Sequence, residues 1–377
     1  MEVKKKQIKE QNRKNKKQNK REKKMKWQKK ASIILVILLI LFLVLPMTVT
    51  STIYEINFGS RVVLEENSGR MKYEDYQEKM TRREISFTSN KGQTLRGFVY
   101  TKRKATDEPK ALIVIAHGYL GTHEEYLNQI YYFAMHGYEV MGYDNTGTNL
   151  SDGKSLIGLG QSAIDLDYAL RYVENNAELK DKLLFLYGHS WGGYAVTSVL
   201  NYGHNVKAVV SKSGYNNSRD MLIEYGCNLY GEALQVLGPY VYLYEKIKFG
   251  DAIDLNGVKG INTSSDTRVL LLHSEDDPVI SLENSLLVHK DEFVNPKRIK
   301  TILLKYKGHD VTRSEEAILY QEERKQEWNQ IIEKYGKEAD VPKEVVEKFK
   351  RSVNKEKNNE LDETIMEEIL AFYQESL

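Results

Sequence analysis

Cysteine occurs once in the 377 residues, as Cys227, so no internal disulfide staples the fold. Without a neighbouring His or Lys in sequence, Cys227 reads as a small buried or half-buried residue rather than a reactive thiol. Proline is scarce as well, at 6 residues, and no Gly-X-Y or low-complexity repeat is present, which excludes collagen-like and repetitive classes. Stability has to come from a hydrophobic core, and the length suits one large catalytic domain with additions, or two ordinary domains. An excess of charge of one sign is also missing, because 55 Lys and Arg stand against 53 Asp and Glu. That balance averages two unlike parts. Residues 1–30 hold 15 basic and 3 acidic side chains, leaving 40 basic and 50 acidic for the remaining 347.

The basic arm, residues 1–30, has almost nothing to bury, and its composition predicts disorder in water. It is followed by ASIILVILLILFLVLPMTV over residues 31–49, a run with no charge at all. As a helix this run reaches about 28 Å, close to the thickness of a bilayer's hydrocarbon core. Pro46 is expected to kink or end that helix near its outer end. A cleaved signal peptide has a short basic region and a small-x-small cleavage site; here the basic region is long and Thr48-Val49-Thr50 is a weak site. An uncleaved signal anchor over residues 31–50 fits better than that, and better than a buried core helix, which would not carry so basic a flank. The positive-inside rule then puts the arm in the cytoplasm and the chain beyond Thr50 outside. The arm reads as topogenic, with some attraction to anionic headgroups. Nucleic acid is not an expected partner, since neither aromatic interleaving nor a binding fold accompanies the charge.

After a mixed tether over residues 51–83, which includes a helix packing on the next domain, a regular alternation begins. Short apolar, β-branched runs recur at 85–88, 95–100, 111–116, 139–143, 183–187, 206–211, 268–273 and 301–305. Most are separated by segments of helical periodicity, at 124–136, 160–175 and 192–202. This predicts an α/β fold with a mostly parallel sheet covered on both faces. Asn90-Lys91-Gly92 between the first two runs predicts an antiparallel hairpin. Residues 214–266 are too long for a simple crossover and read as a Tyr-rich helical cap. Residues 313–358 are highly charged and read as a solvated helical pair broken at Val341-Pro342.

The chemistry centres on Gly188-His189-Ser190-Trp191-Gly192-Gly193, which follows an apolar strand and opens a helix. A serine at a strained strand-to-helix turn projects its hydroxyl above the sheet, and only small neighbours permit the turn. The hydroxyl needs a base, and the base an orienting acid. His309 follows the strand at 301–305 and is the expected base. Asp277, favoured over Asp276, follows the strand at 268–273 and is the expected acid. Both lie past the carboxyl ends of strands, where open α/β sheets build sites. Two N–H groups are needed for the developing oxyanion, and Trp191 and Tyr119, the latter in His117-Gly118-Tyr119, are the expected donors. His189, His273 and His117 read as structural, while His136, His204 and His289 have no partner in view. His117 and His123 lack the further ligands a metal needs, and no metal or cofactor is expected.

These residues resemble an α/β-hydrolase-fold serine hydrolase of the serine aminopeptidase-like and monoacylglycerol-lipase-like branch, from about residue 84 to the end. The match rests on His117-Gly118, the 188–193 motif, Asp277-Pro278 and Gly308-His309. Residues 142–153 resemble that family's loop after the fourth strand, except that Thr146 stands where Arg is usual and Asn149-Leu150 adds a residue. The resemblance implies an eight-stranded sheet with an antiparallel second strand, and a cap after the sixth. Tyr215, Tyr225, Tyr230, Tyr240, Tyr242 and Tyr244, with Leu222 and Leu229, either line an aromatic acyl or side-chain pocket or pack the cap down. The expectation is a membrane-anchored hydrolase of a small ester or peptide substrate. An aminopeptidase would need an acid in the cap for the substrate's ammonium, with Glu224, Glu232 and Glu245 as candidates. A non-catalytic binding protein of the same fold is the rival from another class.

Overall fold

The computed structural model describes residues 1–64 and 69–377. Residues 65–68, within the expected tether, lie outside the described residues.

The amino-terminal arm is helical where its composition predicts disorder. Helix α1 (Glu2–Leu39) runs unbroken from the basic arm into the apolar run. Lys, Arg, Gln and Glu are good helix formers once freed of Gly and Pro, and the apolar run extends the same helix. Nor does Pro46 end it. A wide turn over Ile40–Val44 absorbs the missing N–H, and α2 (Leu45–Phe58) starts with Pro46 in its first turn. Pro46 cannot donate to the Phe42 carbonyl, and the Tyr240 hydroxyl donates to that carbonyl instead. Among the described residues, Glu2–Phe58 is the one helix long and apolar enough to cross a membrane.

Eight strands follow, in the sheet order β1-β2-β4-β3-β5-β6-β7-β8. The hairpin β1 (Met80–Thr88) and β2 (Thr94–Lys102) is antiparallel, and β2 is antiparallel to β4 as well. β1 begins ahead of the expected boundary at 84. From β3 (Leu112–Ala116) and β4 (Glu139–Tyr143) onward, through β5 (Leu184–His189), β6 (Val206–Lys212), β7 (Arg268–Ser274) and β8 (Ile299–Leu304), all neighbours are parallel. The strands are apolar on both faces because both are covered. On one side Ile113, Ile115, Phe185 and Leu270 pack with α3 (Leu127–Met135) and the final helix. On the other, Val114, Leu186, Val209 and Leu271 meet α4 (Gln161–Asn175) and α5 (Trp191–Ser198).

The region between β6 and β7 divides in two. Helices α6 (Ser218–Tyr230) and α7 (Gly238–Phe249) form the cap. Helix α8 (Gly257–Thr263) returns to the body and lies so close to α5 that a Cβ on Gly260 would sit 2.1 Å from the Thr197 carbonyl oxygen. Past β8 come the charged helices α9 (Glu315–Tyr335), α10 (Lys343–Arg351) and α11 (Lys355–Asn359), then α12 (Glu363–Gln374). α9 and α10 meet through Trp328 and Phe349, 4.9 Å apart between ring centroids, and are otherwise largely solvated. Pro342 caps α10, in agreement with the expected break.

The cap does not rest on the body alone. α2 packs against α7, with Tyr54 and Phe58 buried. Tyr54 donates its hydroxyl to Glu245 Oε1 at 3.1 Å, and Ser218 donates to Oε2 of the same carboxylate at 3.2 Å. Glu245 has no exposed surface. Burial pushes its carboxyl up to about 7, against the opposing pull of the two hydroxyl donors. A raised carboxyl favours the protonated folded state, so stability falls as pH rises from the unfolded value through about 7. Over that interval the loss amounts to about 3 kcal/mol. Glu245→Gln is therefore expected to leave stability at pH 5 nearly unchanged and to raise it at pH 8. Urea unfolding of the detergent-solubilised chain at the two pH values checks this, and equal effects at both would contradict it.

Candidate active site

The turn between β5 and α5 is set by backbone contact. Ser190 has φ 56° and ψ −114°, a conformation costly for any residue but glycine. It is held there because the chain before and after it is squeezed. A Cβ on Gly188 would lie 2.2 Å from the Gly192 carbonyl oxygen, and one on Gly192 would lie 1.9 Å from that of Ala116. The Ser190 N–H continues the sheet by donating to the Lys212 carbonyl at 2.9 Å. Trp191 is then the first residue of α5, and its indole N–H donates to the Leu159 carbonyl at 2.6 Å.

His309 and Asp277 meet across the loops after β8 and β7. His309 Nδ1 lies 2.8 and 3.0 Å from the two Asp277 oxygens. The same carboxylate accepts the Val279 and Ile280 N–H groups at 2.8 and 3.1 Å. Burial pushes the Asp277 carboxyl up, but the bond from His309 and these two donors outweigh it and hold it below the usual range. Asp276 turns away, accepting from the Ser274 hydroxyl and the Gly308 N–H. The His309 ring packs on His189, 4.8 Å between centroids, one residue from Ser190. Ser190 Oγ itself makes no hydrogen bond among the described residues, and such contacts are often long until substrate binds. The Tyr119 and Trp191 backbone N–H groups likewise donate to no described residue, and Tyr119, Trp191 and Ser190 line one cavity.

The elbow and a hydrogen-bonded acid–histidine pair lie at one end of the sheet, and comparison with known proteins agrees with the fold. A family model described as serine aminopeptidase, S33, matches residues 107–257. The chain is a serine hydrolase of the α/β fold. No curated protein matches it by sequence. Among solved structures it is similar to an esterase of Pyrococcus furiosus, with 15% identity and a TM-score of 0.51, over 73% of this chain and 98% of that one. A protein from Bacteroides ovatus assigned as a dipeptidyl aminopeptidase IV is similar with 13% identity and a TM-score of 0.50, over 79% of this chain and 36% of that one.

In this hydrolase several histidines hold loops in place. His117 donates from Nδ1 to the Gly118 carbonyl at 2.8 Å and accepts the Asn145 N–H on Nε2 at 3.0 Å, which assigns its tautomer. His123 pairs with Asp144 at 2.7 Å in the loop after β4. Where Thr146 replaces the family's arginine, its N–H and hydroxyl bind Asp165 at 2.7 and 2.9 Å. His204 has partners that its sequence neighbours do not reveal: Asp167 at 2.8 Å and Glu174 at 2.7 Å. His289 pairs with Glu292 at 2.6 Å. Of the candidate cap acids, Glu232 is exposed, Glu245 is committed to α2, and Glu224 accepts the Ser281 N–H at 3.0 Å. None of the three lines the Ser190 cavity.

Two supports escaped sequence reasoning. Tyr126 accepts the Gly118 N–H at 3.0 Å and donates to His189 Nδ1 at 2.8 Å, while His189 Nε2 donates to the His309 carbonyl at 3.1 Å. One chain of bonds thereby joins the Tyr119 loop, the elbow and the His309 loop. Burial and the nearby Lys212 keep His189 well below the usual imidazole range, so it stays neutral, as this role requires. Lys212, fully buried at the end of β6, pairs with half-buried Asp310 beside His309 and donates to Thr312 Oγ1 at 2.7 Å. Burial lowers the ammonium and by itself would raise the carboxyl, but Lys212 and Arg313 hold the Asp310 carboxyl well below its ordinary value. No spacing rule pairs residues 212 and 310. Lys212→Met is expected to cost about 1–2 kcal/mol, because Asp310 loses its buried partner but keeps Arg313 at 2.9 Å. Urea unfolding at pH 7 measures it, and a loss below about 0.5 kcal/mol would show the pair to be dispensable.

Proposed function

We propose that this hydrolase is a carboxylic ester hydrolase anchored by its amino-terminal helix, with its catalytic domain outside the cytoplasmic face. Ser190 Oγ attacks the ester carbonyl as His309 Nε2 takes its proton, and Asp277 orients the imidazole and stabilises its charge. The oxyanion is met by the Tyr119 and Trp191 N–H groups, the latter at the positive end of α5. The ester C–O bond breaks, His309 returns the proton to the leaving alkoxide, and water then releases the acyl group from Ser190 by the same route.

The observation that carries ester over peptide chemistry is the lining of the Ser190 cavity. Phe58, Trp191, Tyr215, Met221, Tyr225 and Ile280 face it, and none of its lining residues is Asp or Glu. A peptide's free ammonium would find no counter-charge there, and burying it unpaired would cost several kcal/mol, on the order of the penalty for any buried ion. An acyl chain loses nothing by the same surroundings. The description of the matching family model favours the peptidase reading, and the test separates the two.

Nitrophenyl butyrate is expected to be turned over and aminoacyl nitroanilides to be turned over at least about a hundredfold more slowly. Ser190→Ala should remove ester turnover and fluorophosphonate labelling together. Labelling of that variant at the wild-type rate would refute the nucleophile. Protease treatment of intact cells should release the hydrolase domain, and complete protection would refute the outward orientation.

A further inference from the structure

The helix that carries the apolar run does not stop at the surface of the hydrolase. Its last two turns, in α2, form a wall of two adjoining cavities. Phe58 and Tyr225 line both the Ser190 cavity and a second apolar groove between α2, α6 and α7. Ile53, Tyr54, Leu222, Leu237 and Val241 line the groove beyond them, and so does Thr50, where the expected span ends. Thr50 and Phe58 are about 12 Å apart along the helix. Apolar surface dominates the lining, and Asn57 is its one side-chain amide.

The wall is fastened, not merely adjacent. Tyr119, which lines the Ser190 cavity, donates its hydroxyl to the Asn57 carbonyl at 2.6 Å. Its ring lies 5.3 Å from Phe58 and 6.3 Å from Tyr225 between centroids. On the far side Glu55 binds Lys248 at 2.5 Å and accepts the Tyr244 hydroxyl at 2.8 Å, both from α7. The family model covers residues 107–257 and includes no part of α2.

We infer that α2 completes the substrate site, and that the groove beside it holds the apolar chain of an acyl ester whose carbonyl lies at Ser190, with Phe58 and Tyr225 as the constriction between the two. This rests on the ester-hydrolase reading above. The chain enters from the end nearest Thr50, so the occupant is one acyl chain of a lipid ester lying in the outer leaflet. A soluble short-chain ester would use the Ser190 cavity alone. Fixing the anchor helix as the wall couples anchoring to specificity, because the helix that meets the bilayer also sets the width of the groove.

The probes are two fluorophosphonates, one with an ethyl and one with a dodecyl chain. Each reacts by forming a bond from Ser190 Oγ to phosphorus, with fluoride leaving and the serine proton passing to His309. The full chain is labelled in detergent micelles, and the ratio of the dodecyl to the ethyl rate is measured. Leu234 and Val241 both line the groove, and Leu234→Trp and Val241→Trp each put an indole into it, away from Ser190. In both variants the ratio is expected to fall about tenfold. An unchanged ratio in both variants, with Ser190 still labelled, would overturn this inference and leave the hydrolase reading standing. Absence of Ser190-dependent labelling by either probe in the wild-type chain would overturn both. Two variants are used so that failure of one to fold leaves the measurement intact.

Discussion

Close approach of three backbone segments governs this molecule. At the elbow, the chain around Gly188 and Gly192 is pressed against the carbonyl of Ala116 with no room for a Cβ, and Ser190 is held at a positive φ. That strain is bearable only because both faces of the sheet are packed to completion, so the elbow cannot relax by moving. The position of β3 beside β5 is what brings the Tyr119 loop next to the serine. The Tyr119 loop, the serine and the start of α5 are thus brought together by one crowded contact.

Around that contact the polar interior is arranged as ties between loops. Tyr126 and His189 link the loops after β3, β5 and β8, and Lys212 with Asp310 fastens the His309 loop to the sheet. Each tie is costly to bury and therefore strong only while complete. Loops at the carboxyl ends of strands are free to vary in length, and these ties give them the rigidity of the elements they join.

The amino-terminal helix is built into the cap. A simple tether would leave the cap free, whereas α2 is packed into it through Tyr54, Phe58 and the buried Glu245. Burying Phe58 and Tyr54 contributes on the order of 4 kcal/mol to holding helix and cap together. The ionisation of Glu245 acts on that same junction, because its carboxyl is satisfied by hydroxyl donors alone.

Much was legible before any coordinates. Strands apolar on both faces, the Asn-Lys-Gly hairpin signal, the glycine-flanked serine and the acid and histidine past later strands are local patterns, and local patterns survive in sequence. The helical arm was misjudged because composition says what a segment cannot bury, not which neighbour extends it, and at Pro46 the chain takes a wide turn and continues as helix rather than ending. His204 looked unpartnered because Asp167 and Glu174 lie on a different helix. The choice of Asp277 over Asp276 to face His309, the Lys212–Asp310 pair, the absence of cap carboxylates from the Ser190 cavity and the use of α2 as its wall join residues tens to hundreds of positions apart. By itself the sequence determined the order of strands and helices and the chemical types at their ends, since periodicity and turn chemistry act over a few residues. Only the tertiary structure decided which of those groups meet, because that depends on sheet order and on how closely packed layers force distant loops together.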